Sequence, residues 1–169
     1  MKTKLTYLIL SLSFLCSFSL TAQNSYWKNT SESKIGYSDV MDRSFFPEKY
    51  QLFNLNLELF KSILIEAPKK EAKGTSSTIV EFPMSNGEYQ KFSVTKSSIM
   101  EAGLQEKYPE IQTYKAIGID DPTATMRFSV TQFGLHTLSL SGKRNAEYID
   151  PYTKDKENNI VFNRSNIGT

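Results

Sequence analysis

Cysteine and histidine are nearly missing from this 169-residue chain: one of each is present. Zinc hydrolysis needs three or four converging nitrogen, sulfur or carboxylate ligands, commonly two histidines one helical turn apart. With His136 alone, a His-Glu-x-x-His helix is excluded from these residues. Catalysis by a nucleophile, a histidine and an acid would have to run through His136, and no Gly-x-Ser-x-Gly elbow accompanies it. Glycine runs are missing too. Gly74, Gly87, Gly103, Gly118 and Gly134 stand singly and none opens a glycine-rich helix start, so a phosphate cradle is excluded. No sign of charge dominates. The formal +2 comes from Lys2 and Lys4, and the rest of the chain is neutral. A basic face for nucleic acid or anionic lipid is therefore not expected. No internal repeat of solenoid period is present.

What is there begins with a leader. Lys2 and Lys4 precede an apolar stretch from Leu5 to Leu20 and a small-residue exit at Thr21-Ala22, which predicts a secretory signal peptide over residues 1–22. The stretch is short for a membrane span and diluted by Thr6, Ser11, Ser13, Ser17 and Ser19. Cys16 leaves with it, so the exported part folds without disulfides, and a secreted, periplasmic or cell-surface location follows. That part is rich in Phe and Tyr, 11 and 9 in the whole chain, which favours strands.

A polar lead-in over 23–44, loosely held and with room for one short strand, precedes a β-rich domain over 45–164. Residues 165–169 read as a truncated tail or linker. Within the domain, Tyr50–Leu55 suits a strand. Asn56 is placed to cap a helix whose Leu57, Phe60 and Leu64 share one face and which ends before Pro68. A charged loop spans Lys69–Ser77. Ile79–Pro83 and Glu88–Thr95 flank Ser85-Asn86-Gly87; a three-residue loop with a left-handed glycine puts Val80, Phe82, Phe92 and Val94 on one face. Ser98–Tyr108 predicts a short helix stopped by Pro109, and Ile111–Ile119 returns to extended chain. In the next hairpin Met126, Phe128 and Val130 alternate with polar residues. A three-residue loop Gln132-Phe133-Gly134, with Gly134 left-handed, would set them opposite Leu140, Leu138 and His136. A turn at Gly142–Asn145, a strand around Tyr148-Ile149, and a last strand over Ile160–Phe162 complete the chain. The fold class is α+β: mainly an antiparallel β meander with one amphipathic helix and one short helix.

The neighbouring carboxylates Asp120 and Asp121 are the conspicuous polar pair. Glycosidase chemistry needs two carboxyls facing each other across a sugar, whereas adjacent residues in extended chain point apart. Asp121-Pro122-Thr123-Ala124 fits a type I turn with acid first and proline second, and Asp120 is placed to accept from a turn amide. Asp120, Asp121, Pro122 and Gly134 are thus a structural turn signature. No catalytic, cofactor-binding or metal-binding residue is assigned, and no cofactor is expected in this chain. Lys69-Lys70 and Lys143-Arg144 are solvated pairs on loops accessible to proteases.

Four motifs in order carry a family resemblance: Tyr108-Pro-Glu-Ile-x-Thr-Tyr114, Gly118-Ile-Asp-Asp-Pro122, Arg127-Phe-Ser-Val130 and Tyr148-Ile-Asp-Pro-Tyr152. Together, over roughly Tyr50 to Phe162, the chain resembles the N-terminal pro-region of secreted bacterial reprolysin-like (metzincin) zinc metalloprotease precursors. The resemblance implies a non-catalytic propeptide domain that assists folding and latency of a catalytic domain beyond residue 169. Zinc is expected only there, and the catalytic domain in cis is the expected partner. Neither nucleic acid nor, once the signal is removed, membrane is expected as a partner. Animal relatives occupy the zinc with a pro-region cysteine, and none remains here. The resemblance leaves Asp120, Asp121, Asp150, His136 or a backbone segment for that position. The alternative reading is a free-standing secreted β-rich binding or adhesion module.

Overall fold

The computed structural model describes residues 26–69, 78–97 and 102–168. The expected signal peptide with Cys16, most of the expected Lys69–Ser77 loop, residues 98–101 of the helix expected over Ser98–Tyr108, and Thr169 lie outside the described residues.

Among the described residues nine strands form one antiparallel sheet: β1 (Trp27–Thr30), β2 (Gln51–Leu55), β3 (Thr78–Pro83), β4 (Tyr89–Lys96), β5 (Gln112–Gly118), β6 (Thr125–Thr131), β7 (Gly134–Leu140), β8 (Glu147–Pro151) and β9 (Asn158–Asn163). Their spatial order is β1-β2-β9-β8-β7-β6-β5-β4-β3. From β3 to β9 every strand lies beside its successor, the meander expected from the turn spacing. The lead-in strand β1 and β2 add to the far side of β9.

The sheet curls into a half-barrel, and side chains from the β1 end reach the β3 edge. On β3, the Glu81 carbonyl accepts from the Trp27 indole (3.0 Å) and the Tyr26 hydroxyl (3.2 Å), while the Glu81 amide donates to the Tyr26 oxygen (2.7 Å). Edge strands offer unpaired backbone to any passing strand; here side chains occupy that edge. The lead-in, expected to be loose, is held: Trp27 is buried, and the Met41 amide donates to the Tyr152 carbonyl at 2.9 Å.

Helix α1 (Leu57–Ile65) fills the concave side. Asn56 caps it, its Oδ1 accepting from the Leu59 amide at 3.0 Å. Phe60 and Leu64 are its buried residues. The Phe60 ring lies 5.3–6.3 Å from those of Tyr26, Trp27, Phe82 and Phe128. A second helix, α2 (Ala102–Lys107), precedes β5.

The described residues cover the convex face on one half only. Over β2, β8 and β9 the lead-in and the C-terminal turn bring Ile35, Val40, Tyr50 and Ile167 onto Leu52, Tyr152, Ile160 and Phe162. Both faces of β9 are therefore buried, which explains its unbroken Ile160-Val161-Phe162 run. Over β5 to β7 no described segment of the chain lies on the convex face.

The two hairpins compare differently with expectation. Ser85-Asn86-Gly87 is a three-residue loop closed by Met84 and Glu88, with Gly87 at φ 87°, and Val80 faces Phe92. In the second hairpin Gly134 is left-handed as expected (φ 104°), but the loop is Gln132-Phe133 and the register is one residue shorter. Val130 faces Leu135, Phe128 faces Thr137 and Met126 faces Ser139. Leu138 and Leu140, expected in the core, and His136, expected at its rim beside Val130, point outwards. The inward polar residues are accommodated: Thr137 accepts the Ile149 amide through Oγ1 at 3.0 Å. Gly134 must also be small, because a Cβ there would stand 2.6 Å from Pro151 Cγ.

Candidate functional site

The adjacent carboxylates diverge. Asp120 is exposed and its Oδ2 accepts the Lys91 amide at 2.7 Å, extending the β4–β5 pairing. Asp121 is 5% exposed and begins the turn closed by the Ala124 amide on the Asp121 carbonyl (2.9 Å). The aspartate bond to the turn amide belongs to Asp121, not to Asp120: Oδ1 accepts the Thr123 amide (3.1 Å) and hydroxyl (2.7 Å). Pro122, with its preset φ, makes the turn that aims the carboxylate this way. Oδ2 accepts from the Ser141 hydroxyl (2.7 Å) and from Arg144 Nη2 (3.5 Å), and Lys143 Nζ stands 3.8 Å from Oδ1. Hydrogen bonds from Thr123 and then Ser141 pull this carboxyl down to about 2, with Lys143 adding to them against the opposing effect of burial. This is a lock between the β5–β6 turn and the β7–β8 loop. Arg144, expected to be merely solvated, is half-buried and also donates to Gln90 Oε1 at 2.5 Å. Sequence reasoning missed Ser141 and Arg144 because the contacts span 20 and 23 residues.

His136 lies on the convex face in a row across three strands. It is opposite Ser129 on β6, and its Nδ1 is 2.9 Å from Asp150 Oδ1 on β8. Serine, histidine and acid in line share the order of an acyl-transfer triad. Such chemistry also needs donors aimed at a developing oxyanion, whereas Ser129 sits within the β5–β6–β7 ladder, where backbone amides serve the sheet. The row is a polar stripe along one border of the uncovered face. It separates two shallow hollows, about 280 Å³ beside Arg127, Ser129 and Leu138, and about 260 Å³ beside Arg43, Asp150 and Pro151. Among the described residues no group of three or more His, Cys, Asp or Glu side chains converges as a metal site would require.

The uncovered face itself is apolar and cationic. Ile117 (49% exposed), Leu138 (39%) and Leu140 (51%) project from β5 and β7. Between them Lys115 and Arg127 stand directly opposite each other across β5 and β6, with Leu138 opposite Arg127 on the next strand. Thr125 lies between Ile117 and Leu140 in the ladder, so the face is a mosaic of apolar groups and cations. Single surface leucines are ordinary, but several exposed on one face of a paired sheet are a candidate interaction surface.

One further hollow, about 640 Å³, opens at an end of the half-barrel between α1 and β5–β6, lined by Ile65, Tyr114, Val130 and Thr131 with Lys61 and Lys96 at the rim. Both lysines are engaged, Lys61 with Glu58 (2.9 Å) and Lys96 with the Ile65 carbonyl at the helix end (2.8 Å).

No family model, curated protein or solved structure matches this chain. No helix among the described residues is long and apolar enough to cross a membrane.

Proposed function

We propose that this chain is an exported, non-catalytic docking domain, and that its partner is the zinc metalloprotease catalytic domain implied by the four ordered motifs. One observation carries the reading: the described residues cover the convex face over β8, β9 and β2 but leave it open over β5 to β7, where Ile117, Leu138 and Leu140 are presented on paired strands. A folded partner seated there would remove that apolar surface from water, at roughly 25 cal/mol per Å². A propeptide acts in this way, as a template and cover for another domain, and needs no reactive side chain of its own.

The test is inhibition. The secreted chain, titrated into a panel of bacterial reprolysin-like catalytic domains, is expected to slow hydrolysis of a fluorogenic peptide, and the Leu138→Asp/Leu140→Asp variant is expected to lose that effect while keeping its circular dichroism spectrum. Absence of both binding and inhibition across the panel would sink the proposal. A second reading, the free-standing binding module, is favoured by the 640 Å³ hollow at the barrel end, since ligand sites gather in the mouths of β-barrels.

A further inference from the structure

The uncovered face has an internal cost that its own fold does not relieve. Lys115 and Arg127 are directly opposite cross-strand neighbours, a placement that brings side chains to within about 5 Å of each other and is destabilising for like charges. Neither forms an ion pair with an acid among the described residues, although the other cations of this region do. Lys91 pairs with Glu81, while Lys143 and Arg144 pair with Asp121. Threonine or glutamine at either position would satisfy the strand without repulsion. Apolar groups border the pair, Ile117 two residues along β5 and Leu138 opposite Arg127 on β7. Two uncompensated cations flanked by Ile117 and Leu138, with Thr95, Thr113, Thr125 and Ser129 as their other neighbours on this face, are complementary to a carboxylate carried beside apolar side chains.

Resting on the reading that this face docks a partner domain, we propose that the partner contributes a polypeptide segment in which acidic and apolar side chains alternate. Its carboxylates would sit on Lys115 and Arg127, and its apolar groups on Ile117, Leu138 and Leu140. A sulfated glycan would match the cations but offer nothing to the leucines. An anionic bilayer would need a long-range positive field, and beyond Lys2 and Lys4 the chain is neutral. The polypeptide is the occupant that uses both parts of the surface.

The test uses the full secreted chain and defined probes: a short peptide of alternating leucine and glutamate, its leucine–lysine counterpart, heparin, and phosphatidylglycerol vesicles. Binding is followed by titration calorimetry and located by NMR. The glutamate peptide is expected to bind at least tenfold more tightly than the lysine peptide, with shifts confined to β5–β7. Lys115→Glu is the informative variant, because it turns the repulsive pair into an attractive one. It is expected to weaken peptide binding about tenfold or more while Tm holds or rises, a combination that a simple folding defect cannot produce. Arg127→Gln supplies a milder check. Equal binding of the two peptides, unchanged affinity in Lys115→Glu, or preferred binding of heparin or vesicles would overturn the inference.

The two proposals fail separately. A catalytic domain that binds wild type and Lys115→Glu equally overturns the acidic-segment inference and leaves docking standing. Peptide selectivity that follows the charge, without binding of any catalytic domain, supports the segment chemistry and removes the protease as partner.

Discussion

The two carboxylate oxygens of Asp121 hold together a turn and a loop that are distant in sequence. Its carboxyl ionises at about 2 rather than at the ordinary 3.8. A depressed folded value means that the contribution to stability is complete above the ordinary value and is lost as pH falls through the folded one. The difference in stability between wild type and Asp121→Asn is therefore expected to be full above about pH 4 and to shrink between about pH 4 and 2; urea titrations across that range measure it. A difference that grows on acidification would contradict the assignment. Tyr26 works at the opposite end of the scale, its hydroxyl pushed up to about 12 mainly by burial. Tyr26→Phe removes the acceptor that Tyr26 supplies to the Glu81 amide, at an expected cost of about 1 kcal/mol. It should also flatten the loss of stability between about pH 10 and 12. The turn at Asp121 was legible in the sequence from the Asp-Pro pair, but which aspartate bonds the turn was not. The decision between Asp120 and Asp121 is made by Lys91 on one side and Ser141 on the other, both far away in the chain.

At the scale of elements, α1 is the piece most completely written in local sequence. An Asn cap, a one-sided apolar stripe and a following proline each have a short-range physical cause, and the helix runs from Leu57 to Ile65 as that pattern requires. Asn56→Ala is expected to cost about 1 kcal/mol, and Phe60→Ala about 3–5 kcal/mol because its ring touches four others in the core; chemical denaturation distinguishes the two. The β6–β7 hairpin is the contrary case. Apolar alternation on β7 favours Leu138 and Leu140 as core residues, and it misleads because the inward positions are Leu135, Thr137 and Ser139. Two constraints outside the hairpin set the register: the Thr137 hydroxyl serves the β8 backbone, and Gly134 passes against Pro151. Gly134→Ala, with both a positive φ and a close contact against it, is expected to destabilise by about 1–3 kcal/mol or more. The slip of one residue exchanges the faces of the whole strand. The leucines that local alternation assigns to the core lie exposed on the convex face.

For the whole molecule, the meander and its single covering helix followed from turn spacing and helix periodicity. The closure of the sheet and its half-covered convex side did not. Both depend on Tyr26 and Trp27 reaching β3, more than 50 residues away in sequence, and on the lead-in settling over β8 and β9. The resulting object is a curved sheet with a filled concave side and, on its back, a cationic and apolar patch that no described segment covers. Lys115→Glu should make it more stable by a few tenths to about 1 kcal/mol, as expected where a surface has been kept for binding rather than for stability. The central claim is that β5 to β7 form the surface on which a metalloprotease catalytic domain sits. Its most direct test is a methyl NMR titration of the chain with such a domain. The account predicts that the methyl groups of Ile117, Leu138 and Leu140 shift together on binding while those of Ile65 and Val130, at the barrel-end hollow, stay in place. Shifts at Ile65 and Val130 with Ile117, Leu138 and Leu140 unmoved would contradict it.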